Sequence, residues 1–137
     1  MTSDKLAKSY LEKAKIRLEV LKFMHERGGY SDVVREAQEC VELLTKSVCR
    51  TLGIEVPKIH DVGRMLKEKS EILVSPLKEN IDELVVISRR LRKERELAFY
   101  GTDDWIPTEE YTSEDSQAAI DDANKVYDWV SKALLDK

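Results

Sequence analysis

Turn-forming residues are scarce in this chain, with 5 glycines and 3 prolines among 137 residues. So few leave little room for the many tight connections of a β-sandwich or barrel. With 36% charged and 42% apolar residues, the balance excludes a disordered chain and points to a highly helical soluble protein. No apolar run approaches the roughly 20 residues that span a bilayer. The opening Met1-Thr2-Ser3-Asp4-Lys5 has no apolar signal-peptide core. A cytoplasmic protein with no membrane partner is therefore expected. Excess positive charge is also missing: the net charge is −4, so any RNA contact needs a local basic patch.

The two cysteines, Cys40 and Cys49, are nine residues apart in one expected helix. They fall on opposite sides of it, cannot bridge each other, and read as buried, reduced core thiols. His25 and His60 show no metal-ligand spacing with either. Phosphate-loop glycines, dinucleotide-binding glycine patterns and paired catalytic carboxylates are absent as well. No cofactor and no metal are expected.

What is present is helical periodicity, and the length suits one domain over residues 1–137. A first helix is expected from about Ser3 to Arg27, with Leu6, Tyr10, Leu11, Ala14, Leu18 and Leu21 along one stripe and Gly28-Gly29 at its end. Ser31 is a candidate N-cap for a second helix carrying Val34, Ala37, Val41, Leu44 and Val48, which stops near Leu52-Gly53. A connector with Pro57 leads to a short helix after His60-Asp61, with Asp61 as its cap and Leu66 turned inward. Ser75-Pro76 signals the start of a long helix reaching about Tyr100, with Gly101 as its stop. Thr102 to Tyr111 reads as an ordered loop. Thr112 with Asp115 fits a capping box for a last helix carrying Ile120, Ala123, Tyr127, Val130 and Leu134. The expected fold is all-α: an antiparallel, up-and-down four-helix bundle with an additional short helix.

One residue breaks the pattern. Leu77, Ile81, Leu84, Ser88, Leu91, Arg95 and Phe99 share a face of the long fourth helix, and five of these seven are apolar. A guanidinium does not shed its charge, so burying it unpaired costs several kcal/mol or more. Arg95 therefore needs a carboxylate such as Glu42, a helix C-terminus, a dimer partner or a ligand phosphate. The neighbouring Arg89, Arg90, Arg92 and Lys93 divide between faces. Arg92 flanks the Arg95 stripe; the others read as a solvated, salt-bridged surface diluted by Glu94 and Glu96. His60-Asp61 reads as a cap, and Trp105 as a pin holding its loop to the bundle, with a shield over an Arg95 site or a stacking surface for a base as the alternatives.

Several of these patterns coincide in order and spacing with one family. Gln38-Glu39-Cys40-Val41-Glu42-Leu43-Leu44-Thr45-Lys46, the connector from Gly53 to Pro57 into His60-Asp61, and Tyr111-Thr112-Ser113-Glu114-Asp115 with Ala118, Ala123 and Trp129 resemble the HEPN domain. The resemblance spans about Tyr10 to Leu135. In nuclease members an arginine, four to six residues and a histidine end the penultimate long helix. The resemblance implies metal-independent RNA cleavage there, with arginine on phosphate charge and histidine as acid or base, usually between two subunits. Arg95 matches the arginine, but Tyr100 stands where the histidine is expected, and no histidine follows His60. A tyrosine phenol keeps its proton at neutral pH and makes a poor general base, although it donates a hydrogen bond and stacks on bases.

The resemblance thus implies a nucleotide- or RNA-associated binding or accessory module. Arg92 and Arg95 would contact phosphate, with Tyr100 beside them. A homodimer and a separately encoded small nucleotidyltransferase are the implied partners, in a toxin–antitoxin-like pair. The alternatives are an endoribonuclease using Arg95 and Tyr100 catalytically, and a structural dimerisation module without a ligand site.

Overall fold

The computed structural model describes residues 2–55 and 62–135. Among the described residues the fold is all-α, with four long helices: α1 (Thr2–Glu26), α2 (Tyr30–Thr51), α4 (Ile81–Phe99) and α6 (Ser113–Leu135). Two short ones, α3 (Val62–Glu68) and α5 (Pro107–Glu110), lie in the connections, with a single 3₁₀ turn over Ser70–Ile72. The long helices form the expected antiparallel up-and-down bundle. α2 is its centre, packed against α1, α6 and α4.

That placement explains why α2 is buried on more than one side. Ala37, Val41, Leu44 and Val48 face the core, and so do Cys40 and Cys49 from opposite sides. Its small polar side chains are satisfied by the neighbouring helix: Ser47 Oγ donates to the Ala7 carbonyl at 2.8 Å and Cys40 Sγ to that of Ala14 at 3.6 Å. α1 presents Ala7, Leu11, Ala14 and Leu21 to the core, while Leu6, expected inside, is 37% exposed. Ala119, Ala123, Val126 and Val130 line the buried side of α6.

The helix ends show where local chemistry was read correctly and where it was not. Gly28 ends α1 in the left-handed region (φ 79°), and α2 resumes at once after Gly29. Ser31 is therefore not the N-cap; it is buried in the first turn of α2. The capping box is present as expected: Asp115 N donates to Thr112 Oγ1 at 3.2 Å, and Thr112 N to Asp115 Oδ2 at 2.9 Å. Leu66 is fully buried on α3; the expected cap, Asp61, lies outside the described residues, as does His60.

The fourth helix starts later than Ser75-Pro76. Residues 75–80 are successive turns, in which Asn80 Nδ2 donates to the Pro76 carbonyl at 2.8 Å and Asn80 N to that of Leu77 at 3.2 Å. Local bonds of this kind compete with helix, so α4 begins only after Asn80, with Asp82 and Glu83 in its first turn. Leu77 is buried from the turn rather than the helix. At the other end Phe99 is exposed and Ala98 is buried. Buried positions on α4 alternate steps of three and four, so the step after Arg95 lands on Ala98.

Candidate functional site

The lead residues gather at one end of the bundle, where α1 and α4 finish and α2 and α6 begin. Two contacts fix this end. His25 Nδ1 near the end of α1 lies 2.8 Å from Ser116 Oγ in α6, and the guanidinium carbon of Arg35 in α2 lies 4.3 Å from the ring centre of Phe99 in α4.

Arg95 is half-buried, as its place on the stripe demands, and its side chain is 41% exposed. The structure supplies the required carboxylate from α2, one turn before the expected Glu42: Arg95 Nη2 lies 3.0 Å from Glu39 Oε1. This is a charge contact without hydrogen-bond alignment, because the same Oε1 is sealed from solvent and accepts no aligned donor. Arg35 and Glu39 sit one turn apart on α2 and both reach the last turns of α4. Arg92 is exposed and engaged in a contact of its own.

Tyr100 closes α4. Its N–H donates to the Glu96 carbonyl at 2.8 Å, and Gly101 then takes φ 67°. The Tyr100 side chain is 76% exposed and meets the Phe99 ring edge-on at 4.8 Å between centroids. Arg95 and Tyr100 thus belong to the same accessible helix end, with Phe99 and Arg35 beside them.

The segment after Gly101 is held tightly. Thr102 and Trp105 exchange backbone hydrogen bonds at 3.0 and 3.1 Å, and Trp105 stands edge-on to the buried Tyr111 at 6.2 Å. Trp105 packs against the core and its indole N–H is buried, so it pins the loop. The basic cluster on α4 divides as expected. Arg90 pairs with Asp122 across to α6, and two turns earlier on α4 Glu83 pairs with Lys125 at 3.1 Å. Gln38, the first residue of the family-like pattern in α2, is buried with Oε1 lacking a partner among the described residues.

The electrostatics beside the site are unusual at one carboxyl. Burial raises the Glu94 carboxyl above the ordinary glutamate range, nearby Asp115 adds to this, and Arg90 opposes it. Among the described residues no group of three or more His, Cys, Asp or Glu side chains is arranged to hold a metal ion. No described helix is long and apolar enough to cross a membrane.

The HEPN domain family model matches residues 7–133, which includes α2 and α4 whole, most of α1 and α6, and the Arg95–Tyr100 segment. The chain belongs to the HEPN family. It is also 29% identical over 145 residues to a protein of Methanocaldococcus jannaschii named "Putative toxin MJ1304", an alignment covering 97% of this chain and 91% of that relative. No solved structure matches.

Sequence reasoning singled out Arg95, Arg92 and Tyr100 as candidates and did not anticipate that Arg35 and Glu39 meet the end of α4. Their four-residue spacing on α2 is visible in the sequence. What brings them to α4 is the register of α2 against α4, which no local pattern encodes.

Proposed function

We propose that this chain is a single HEPN domain acting as a nucleotide- or RNA-binding partner module in a toxin–antitoxin-like pair. In this reading Arg95 contacts phosphate, Arg92 adds charge beside it, and Tyr100 donates a hydrogen bond or stacks on a base. The observation that carries it is the shared accessibility of Arg95 and Tyr100 at one helix end, at the family's motif position but with a phenol in place of imidazole. A binding role suits that exchange better than acid–base catalysis. The toxin-like name of the archaeal relative supports the pairing. A cytoplasmic homodimer working with a small nucleotidyltransferase is the form this reading takes.

The Arg95–Glu39 contact favours a second reading, in which Arg95 is purely structural and the domain is a dimerisation module. One experiment separates these readings from a ribonuclease. Chelator-treated protein is incubated with labelled structured RNA beside Arg95→Ala and Tyr100→Phe. The expected result is binding without cleavage, weakened about tenfold or more in Arg95→Ala through loss of a charged hydrogen bond. Cleavage that disappears in both variants establishes a ribonuclease instead. A large loss of thermal stability in Arg95→Ala with unchanged RNA binding establishes the structural role.

A further inference from the structure

Glu39 stands out because it meets the one arginine that the binding reading needs. A guanidinium carries five N–H donors in a planar fork, and its strongest partners accept two of them in parallel. Glu39 does not do this. It approaches one terminal nitrogen of Arg95 at 3.0 Å, out of hydrogen-bond alignment, while the arginine side chain remains 41% exposed. The carboxylate neutralises charge but leaves most of the fork uncommitted. A phosphate group brings several acceptor oxygens and more negative charge to the same fork.

The surroundings suit an exchange of anions. Arg35 lies one turn before Glu39 on α2, with its guanidinium resting on Phe99. A second cation thus stands one turn of α2 from Glu39, over the ring that follows Arg95 by one turn of α4, whichever anion Arg95 holds. The Glu39 oxygen that meets Arg95 is shielded from solvent, so its attraction for the guanidinium is less screened than at an open surface.

We propose that Glu39 is the built-in counter-ion of an Arg95-centred anion site and that it competes with an incoming phosphate, setting the affinity of the free site. This rests on the binding reading above and adds its regulation. Contacts that draw Glu39 away from Arg95 open the site, and contacts that hold it there keep the site closed.

The test is a titration of the full chain with inorganic pyrophosphate, followed by the backbone amide resonances of Glu96 to Gly101. Wild type is compared with Glu39→Gln, Arg95→Ala and the double variant. Glu39→Gln is expected to bind about tenfold more tightly, as removal of one opposing charge at this range implies. The gain is expected to vanish when Arg95→Ala is added. Glu39→Asp keeps the charge but withdraws it by one methylene. It should move in the same direction by less, and it carries the test if the glutamine variant does not fold. Arg95-dependent binding in wild type that neither Glu39 variant tightens overturns the competition and leaves the binding reading standing. Absence of Arg95-dependent binding in every variant overturns both.

Discussion

The guanidinium of Arg35 lies over the ring of Phe99, 4.3 Å from its centre. This contact joins the start of α2 to the end of α4 and replaces the core burial that helical periodicity assigned to Phe99. Its strength is bounded by exposure, since Phe99 is 46% accessible. Phe99→Ala should therefore cost about 1 kcal/mol, typical of an exposed cation–π contact. A core phenylalanine would lose about 3–5 kcal/mol. Urea denaturation of Phe99→Ala, Arg35→Met and the double variant measures both the loss and the coupling. A loss above 3 kcal/mol means that Phe99 is buried after all.

Gly101 is required by both backbone and space. It takes φ 67°, and a Cβ there would lie 2.4 Å from the Trp105 carbonyl oxygen and 2.5 Å from Pro107 Cδ. Gly101→Ala combines the left-handed backbone penalty with a clash against a loop that has little freedom to yield. The expected destabilisation is about 2 kcal/mol or more. Trp105 lies in that loop, so in a Trp129→Phe background, where it is the remaining tryptophan, its fluorescence should shift as well. An alanine variant with wild-type stability and an unchanged Trp105 spectrum would show that the turn relaxes without cost.

These two positions also mark how far the sequence could be read. Gly101 as a helix stop, the Thr112–Asp115 capping box and the inward stripe of α2 follow from local chemistry, which one stretch of chain carries entirely; on α6 the expected Tyr127 and Leu134 are only half-buried, and Val126 and Ala133 fill the core instead. The misreadings lie where competing local bonds or a small change of phase decide. Asn80 binds back to Pro76 and delays α4 beyond Ser75-Pro76; the stripe's last step falls on Ala98 instead of Phe99. At the site, the sequence showed that Arg95 needed a partner, with a carboxylate such as Glu42 among four alternatives. Glu39 and Glu42 lie one turn apart on the same helix, and only the packing of α2 on α4 selects between them.

The thiols give a prediction about chemistry the protein withholds. Burial pushes Cys40 up to about 12, against the opposing attraction of Arg17, and Cys49 up to about 11. Both side chains are fully buried, so thiolate is scarce and reagent has no access. In native buffer at pH 8, iodoacetamide should leave both unmodified over an hour, and intact-mass measurement should show two additions once urea unfolds the chain. Rapid native labelling of either cysteine would contradict the packing of α2 at the centre of the bundle.

Glu94 gives the pH dependence its sign. Its carboxyl is raised first by burial and then by Asp115, with Arg90 working against both. The folded chain therefore holds this proton to higher pH than the unfolded chain does. Between the ordinary glutamate value and the raised one, the folded state binds more protons, so this group's contribution to stability falls as pH rises through that window. At neutral pH, above the ordinary glutamate value, the half-buried Glu94 carboxyl is a net burden on the fold. Glu94→Gln should accordingly raise the melting temperature at pH 7, change it little at pH 4, and flatten the decline between them. Thermal melts of the two proteins across that range provide the measurement. An equal shift at every pH would mean that the gain comes from packing or solvation of the amide. A lower melting temperature at pH 7 would mean that Arg90 outweighs burial and Asp115, reversing the balance of charges at this turn of α4.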